Sequence, residues 1–125
     1  MILVDTSFLI RALVKATAED KALRQWLARG EPIAASTIGW AEFLCGPLDP
    51  AEFDLAATIV GDRIPFLDED ATAAARFFNG TGRRRGTLID CMIAATAIRI
   101  GAPLATANPT DFRKVAAFGL ELAAY

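Results

Sequence analysis

The chain has 125 residues, 13 Lys and Arg against 15 Asp and Glu, a formal net charge of −2, and no histidine. Such a balance excludes a protein that coats nucleic acid by bulk attraction, and the missing imidazole excludes a Ser-His-Asp triad, a Cys-His pair and a His-rich zinc centre. Two cysteines are too few for a disulfide framework, and no apolar run approaches the roughly 20 residues that span a bilayer.

With 54% hydrophobic residues, the chain has enough apolar material for one compact domain over residues 1–125. No basic leader precedes a long apolar run, so a cytoplasmic setting is expected. Cys45 and Cys91 stand in apolar, helical-looking surroundings and read as small buried hydrophobes. In chain order, ILVD at 2–5 reads as a strand and residues 7–15 as a helix. Leu23, Trp26 and Leu27 stripe a second helix that stops near Gly30. Pro32–Ala35 reads as a strand, and a helix carrying Ile38, Trp40, Glu42 and Phe43 ends by Gly46. Asp49-Pro50-Ala51-Glu52 has the residues of a capping box with proline at the first helical position.

Ile64–Leu67 is a third strand candidate, and a helix follows over about 69–78. Thr87 begins the clearest helix, TLIDCMIAATAIRIG. Pro103–Thr106 is a fourth strand candidate, Asn108-Pro109 starts another helix, and residues 118–122 form a candidate edge strand. Strands alternating with helices predict a parallel sheet covered on both faces. Sites in such sheets lie beyond the carboxyl ends of the strands, and Asp5 falls at one of those ends.

Four acids attract notice: Asp5, Glu42, Asp90 and Asp111. Each has an ordinary alternative. Asp5 suits a helix cap. Asp90 stands three residues after Thr87, and Asp111 three after Asn108; both are capping-box spacings. Glu42 could face solvent, although Trp40, Phe43 and Leu44 are poor company for a solvated acid. Taken together, three of the four elements that carry them leave one edge of the sheet, so their first turns converge. Two like charges about 4 Å apart cost on the order of 4 kcal/mol at an effective dielectric near 20. A cation or a proton must offset that. Oxygen donors without His favour hard ions, Mg²⁺ or Mn²⁺, and a hard ion in a carboxylate nest suits phosphodiester hydrolysis. Thr6 and Ser7, at a helix start, could offer a hydroxyl or an N–H to phosphate.

At this point LVDTSFLI, WAEFLCG, LIDCMIAATAI and LATANPTDF, in order along nearly the whole chain, resemble the PIN-domain ribonucleases, most closely the VapC-type toxins of toxin–antitoxin pairs. The resemblance implies an α/β, PIN-like three-layer sandwich with a mainly parallel sheet of four to five strands. It implies a Mg²⁺- or Mn²⁺-dependent RNA endonuclease, a homodimer, and a cognate antitoxin whose tail lies along the active-site groove. Asp5, Glu42 and Asp90 match the family's acidic core, with metal binding expected first of Asp5 and Asp90. Many members carry an acid where this chain has Asn108, so Asn108 and Asp111 both remain candidates to complete the site, with Thr106 close to it. Arg83, Arg84 and Arg85 could hold the RNA backbone or form a solvated loop. Arg11 and Lys15 read as an exposed face, and Trp40, Phe43, Phe77 and Phe78 as packing residues. Two alternatives stand beside this reading: a catalytically silent PIN-like binding module, and an Asp-nucleophile phosphatase, which needs a second acid where this chain has Ser7.

Overall fold

A computed structural model describes residues 1–125. Four strands form one all-parallel sheet: β1 (Ile2–Val4), β2 (Ile33–Ser36), β3 (Asp62–Ile64) and β4 (Leu104–Ala105), in the order β3-β2-β1-β4. Leu3 pairs with Ala34 on one side and Leu104 on the other. Side chains alternate across a strand, and both faces here are apolar. Ile2, Val4, Ile33 and Ala35 join one core with Phe8, Leu23, Trp26, Phe43 and Ala56. Leu3, Ala34 and Leu104 join the other with Phe77, Ile93, Phe112 and Val115. The first core is closed by α1 (Thr6–Ala12), α2 (Ala18–Ala28), α3 (Thr37–Leu44) and α4 (Pro50–Ile59); the second by α5 (Asp68–Gly80), α6 (Leu88–Ile100) and the C-terminal turns. This is the expected three-layer sandwich.

The local signals explain most boundaries. Asp49 and Glu52 close their capping box ahead of α4, and Gly101, at φ +67°, takes the left-handed position that ends α6. Helix α1 stops at Ala12, earlier than the apolar pattern predicts. The Thr17 hydroxyl takes the carbonyls of Arg11 and Val14, and Ala16 turns left-handed at φ +70°. The third strand lies two residues before the predicted Ile64–Leu67. It is an exposed edge strand, Asp62-Arg63-Ile64, so no apolar run announces it, and Pro65 has no N–H to extend it.

After Asn108 the chain forms two 3₁₀ segments, Pro109–Asp111 and Arg113–Phe118, in place of the predicted helix. The expected last edge strand is reduced to a parallel bridge between Leu104 and Leu122. Cys91 is buried, but Cys45, just past the end of α3, is exposed and packs into no core. No helix is long and apolar enough to cross a membrane.

Candidate active site

The carboxyl ends of β1, β2 and β4 open toward one cleft of about 280 Å³. Asp5, Glu42, Asp90, Asn108 and Asp111 all line it, with Thr6 and Ser7 beside them. Four acids far apart in the sequence thus reach one space from the end of β1, from α3, from α6 and from the first 3₁₀ segment.

Asp5 is the most rigidly held. Its Oδ1 accepts from the Phe8 N–H at 2.8 Å, which makes it the cap of α1, and from the Ser7 hydroxyl at 2.7 Å. The capping role expected as an alternative is therefore real, and it coexists with a place in the cleft. Ser7 Oγ also accepts from the Ala107 N–H at 3.0 Å and lies 3.3 Å from the Thr106 hydroxyl. Thr106 Oγ1 accepts from the Asn108 N–H, and the Thr106 carbonyl accepts from the Tyr125 hydroxyl at 2.8 Å. Ser7 and Thr106 thereby tie β1 to the loop after β4. Burial pushes the Asp5 carboxyl above its ordinary value, while hydrogen bonding from Thr106, Phe8 and Ser7 pulls the other way.

Glu42 projects from α3 and is steadied across the layer. The Thr6 hydroxyl lies 2.9 Å from the Gly39 carbonyl and 3.2 Å from Glu42 Oε1, donating toward both. The hydroxyls of Thr6 and Ser7 therefore hold carboxylates in place, not free positions for a phosphate. Asp90 has no capping duty. Thr87 Oγ1 donates to the Arg84 carbonyl, and α6 starts without a side-chain cap. Asp111 has no capping duty either: its segment starts without a side-chain cap, and the Asn108 N–H goes to Thr106 Oγ1. With no local partner, Asp90 is pushed up to about 6, by burial first and then by Asp111, Asp5 and Glu42 in turn. Burial and neighbouring like charge both disfavour the ionised carboxylate, so they raise its pKa in the same direction.

The donor set suits a hard divalent ion: carboxylate, amide and hydroxyl oxygens and no imidazole. No three of these acids are grouped tightly enough to enclose an ion by themselves.

The arginine run divides. Arg84 and Arg85 line an adjoining cavity of about 180 Å³, which shares Asp90 and Asp111 with the acid cleft. Arg83 lies outside both cavities. Its guanidinium bonds to Asn79 Oδ1 and sits 5.7 Å from the centre of the Phe78 ring. Lys114, which the sequence did not single out, joins Arg84 and Arg85 in that cavity. It stands in a 3₁₀ segment, where no periodic pattern marks which side chains share a face. Arg11 pairs with Glu19, away from the cleft, and Phe43 and Phe77 are buried core residues as expected.

This arrangement meets its family match directly. The chain belongs to the PIN domain family, whose model matches residues 2–118. Solved structures with the same fold include VapBC2 from Rickettsia felis bound to a promoter DNA fragment, 21% identical, covering 100% of this chain and 99% of that one at a TM-score of 0.74. They also include VapBC-1 from nontypeable Haemophilus influenzae, 20% identical, covering 98% and 97% at 0.73. A third is VapC20 from Mycobacterium tuberculosis, described as a sarcin-ricin loop cleaving toxin, 19% identical, covering 98% of both chains at 0.66. No curated protein matches the chain.

Proposed function

We propose that this chain is a divalent-ion-dependent RNA endonuclease and the toxin of a toxin–antitoxin pair, acting as a single domain over residues 1–125 in a cytoplasmic homodimer. One observation carries the reading: four acids from four separate elements line one cleft, where burial first and the neighbouring acids second lift Asp90 to about 6. The family match and the VapC fold neighbours support it.

Asp5 and Asp90 hold the ion, Mg²⁺ or Mn²⁺, with Glu42 and Asp111 completing the acidic wall. When bound, the ion supplies charge neutralisation at the phosphate and makes a water more acidic. The chain's own groups do the rest. Ser7 and the Phe8 N–H fix Asp5 in one orientation, and Thr6 fixes Glu42. Glu42 and Asp111 are placed to accept a proton from water at the cleft. Asn108 offers a neutral amide where a further negative charge would add to the repulsion. The phosphatase alternative loses support, because the position that would need a second acid is Ser7, whose hydroxyl donates to Asp5.

The antitoxin has a suitable seat. An apolar groove of about 310 Å³ runs between α1, α2 and α4, lined by Leu13, Leu23, Leu27, Leu55 and Ile59 and rimmed by Lys15 and Arg24. An amphipathic segment of the antitoxin fits this surface, with its tail continuing toward the acid cleft.

Cleavage of total RNA by the purified chain tests the catalytic reading. Activity should vanish in EDTA and return with Mn²⁺ or Mg²⁺. Asp5→Asn should lower it at least 100-fold while circular dichroism stays unchanged. Cleavage by Asp5→Asn at the wild-type rate would contradict the assignment, and absence of cleavage under both metals would favour the silent binding module.

A further inference from the structure

The acid cleft continues past Asp111 into a second cavity whose wall changes sign. Asp90 and Asp111 form its near side; Arg84, Arg85 and Lys114 line the remainder, with the hydroxyl-bearing Thr81 and Thr110 among them. The cations come from two separate parts of the chain, the loop before α6 and the second 3₁₀ segment. Arg11 pairs with Glu19, Arg24 with Asp20 and Arg99 with Asp70, Arg83 bonds to Asn79, and Arg63 lies over the Trp40 ring, whereas Lys15, Lys21, Arg29 and Arg113 make no ion pair and do not line this cavity. Arg84, Arg85 and Lys114 make no ion pair, although two carboxylates share their cavity. The three cations outnumber the two carboxylates of the shared wall, and arginine and lysine together suit phosphate oxygens.

We propose that this cavity is a subsite for a second phosphate of the RNA strand, the one neighbouring the scissile phosphate, with Lys114, Arg84 and Arg85 as its ligands. The inference rests on the nuclease reading and specifies its substrate. Because the cavity shares a wall with the acid cleft, the phosphate that reaches it is the next one along the same backbone. A dinucleoside monophosphate therefore lacks a required group. The subsite acts on affinity, since its cations stand apart from the bond that breaks. It is one-sided, so the two neighbours of the scissile phosphate are not equivalent.

A short RNA oligonucleotide with one cleavage site tests this, with each linkage in turn made a neutral methylphosphonate. Wild-type protein in Mn²⁺ should show KM raised about tenfold, with kcat retained, for one neighbouring linkage and not for the other. Lys114→Ala and Arg85→Ala should raise KM on the unmodified strand and abolish the additional effect of that neutral linkage. Arg113→Ala, an exposed cation outside the cavity, should do neither. Anisotropy of the same oligonucleotide in EDTA gives a readout independent of turnover. The slope of log K against log salt should become shallower by about 0.7 for each cation removed from the cavity. RNA that is cut with no dependence on either neighbouring charge overturns the subsite and leaves the nuclease reading intact. RNA that is bound with these slopes yet never cut overturns the nuclease reading and leaves an anion subsite.

Discussion

Asp90 shows what the site costs the fold. Its carboxyl is raised from 3.8 to about 6, by burial and then by three other acids. A folded-state value above the ordinary one means that the folded chain holds the proton more tightly than the unfolded chain. The associated stability is present below about pH 4 and is lost as pH rises through about 6. At about 1.4 kcal/mol per pH unit the full shift corresponds to about 3 kcal/mol, and partial solvent access to Asp90 reduces that to about 1 kcal/mol. Metal-free protein should therefore lose thermal stability between pH 4 and pH 7. Asp90→Asn should flatten that slope and melt a few degrees higher than wild type at pH 7. A higher midpoint for wild type than for Asp90→Asn at pH 7 without metal would contradict the crowding. The acids themselves were legible in the sequence, because a carboxylate directly after an apolar strand or inside an apolar helix is anomalous. Their hydroxyl supports were legible only as residue types. Nothing in the spacing of Thr6 from Glu42, or of Ser7 from Thr106, shows that those pairs meet.

At the scale of elements, α6 carries Asp90 and packs on α5, and an ion pair with a buried carboxylate joins the two helices. Asp70 is 1% exposed. It accepts from Arg99 Nε at 2.8 Å and from the Leu67 N–H at 3.0 Å, and Arg99 Nη2 donates to the Pro65 carbonyl at 2.8 Å. Removing Arg99 leaves a buried carboxylate without its charge partner; because Arg99 is partly exposed and Asp70 keeps the Leu67 N–H, the cost is about 1–3 kcal/mol. Arg99→Ala should lower the unfolding free energy in urea by about that amount; a loss below about 1 kcal/mol would show that Asp70 finds other partners. Helix α2 with its apolar stripe, α4 with its capping box and α6 with its terminal glycine follow the sequence closely. Exposed β3 and the 3₁₀ segments do not, because an edge strand needs no apolar run and a short turn has no period. Lys114 was missed for that reason, and the division of Arg83 from Arg84 and Arg85 depends on a left-handed Arg83, at φ +52°, which a run of identical residues cannot reveal.

The whole molecule presents two surfaces of opposite character. At the carboxyl end of the sheet lies a polar cleft that passes from acids to cations; between α1, α2 and α4 lies an apolar groove. If the groove seats the antitoxin, Leu27→Asp should weaken toxin–antitoxin affinity at least tenfold by calorimetry while RNA cleavage by the free toxin is unchanged. Unaltered affinity would move the antitoxin elsewhere. The layer order and the end of the sheet that carries the site were readable in advance, since strands alternate with helices and the acids follow strand ends. The groove was not, because its residues look like ordinary core positions until α4 is seen to leave them uncovered. The proposed function depends on a divalent ion relieving the acidic cleft. Titration of Mn²⁺ into wild type, Asp5→Asn and Asp90→Asn at pH 7.5 measures this most directly. Saturable binding to wild type that weakens at least tenfold in each variant is the predicted result; equal binding by all three, or none by a wild-type chain that still cuts RNA, would contradict it.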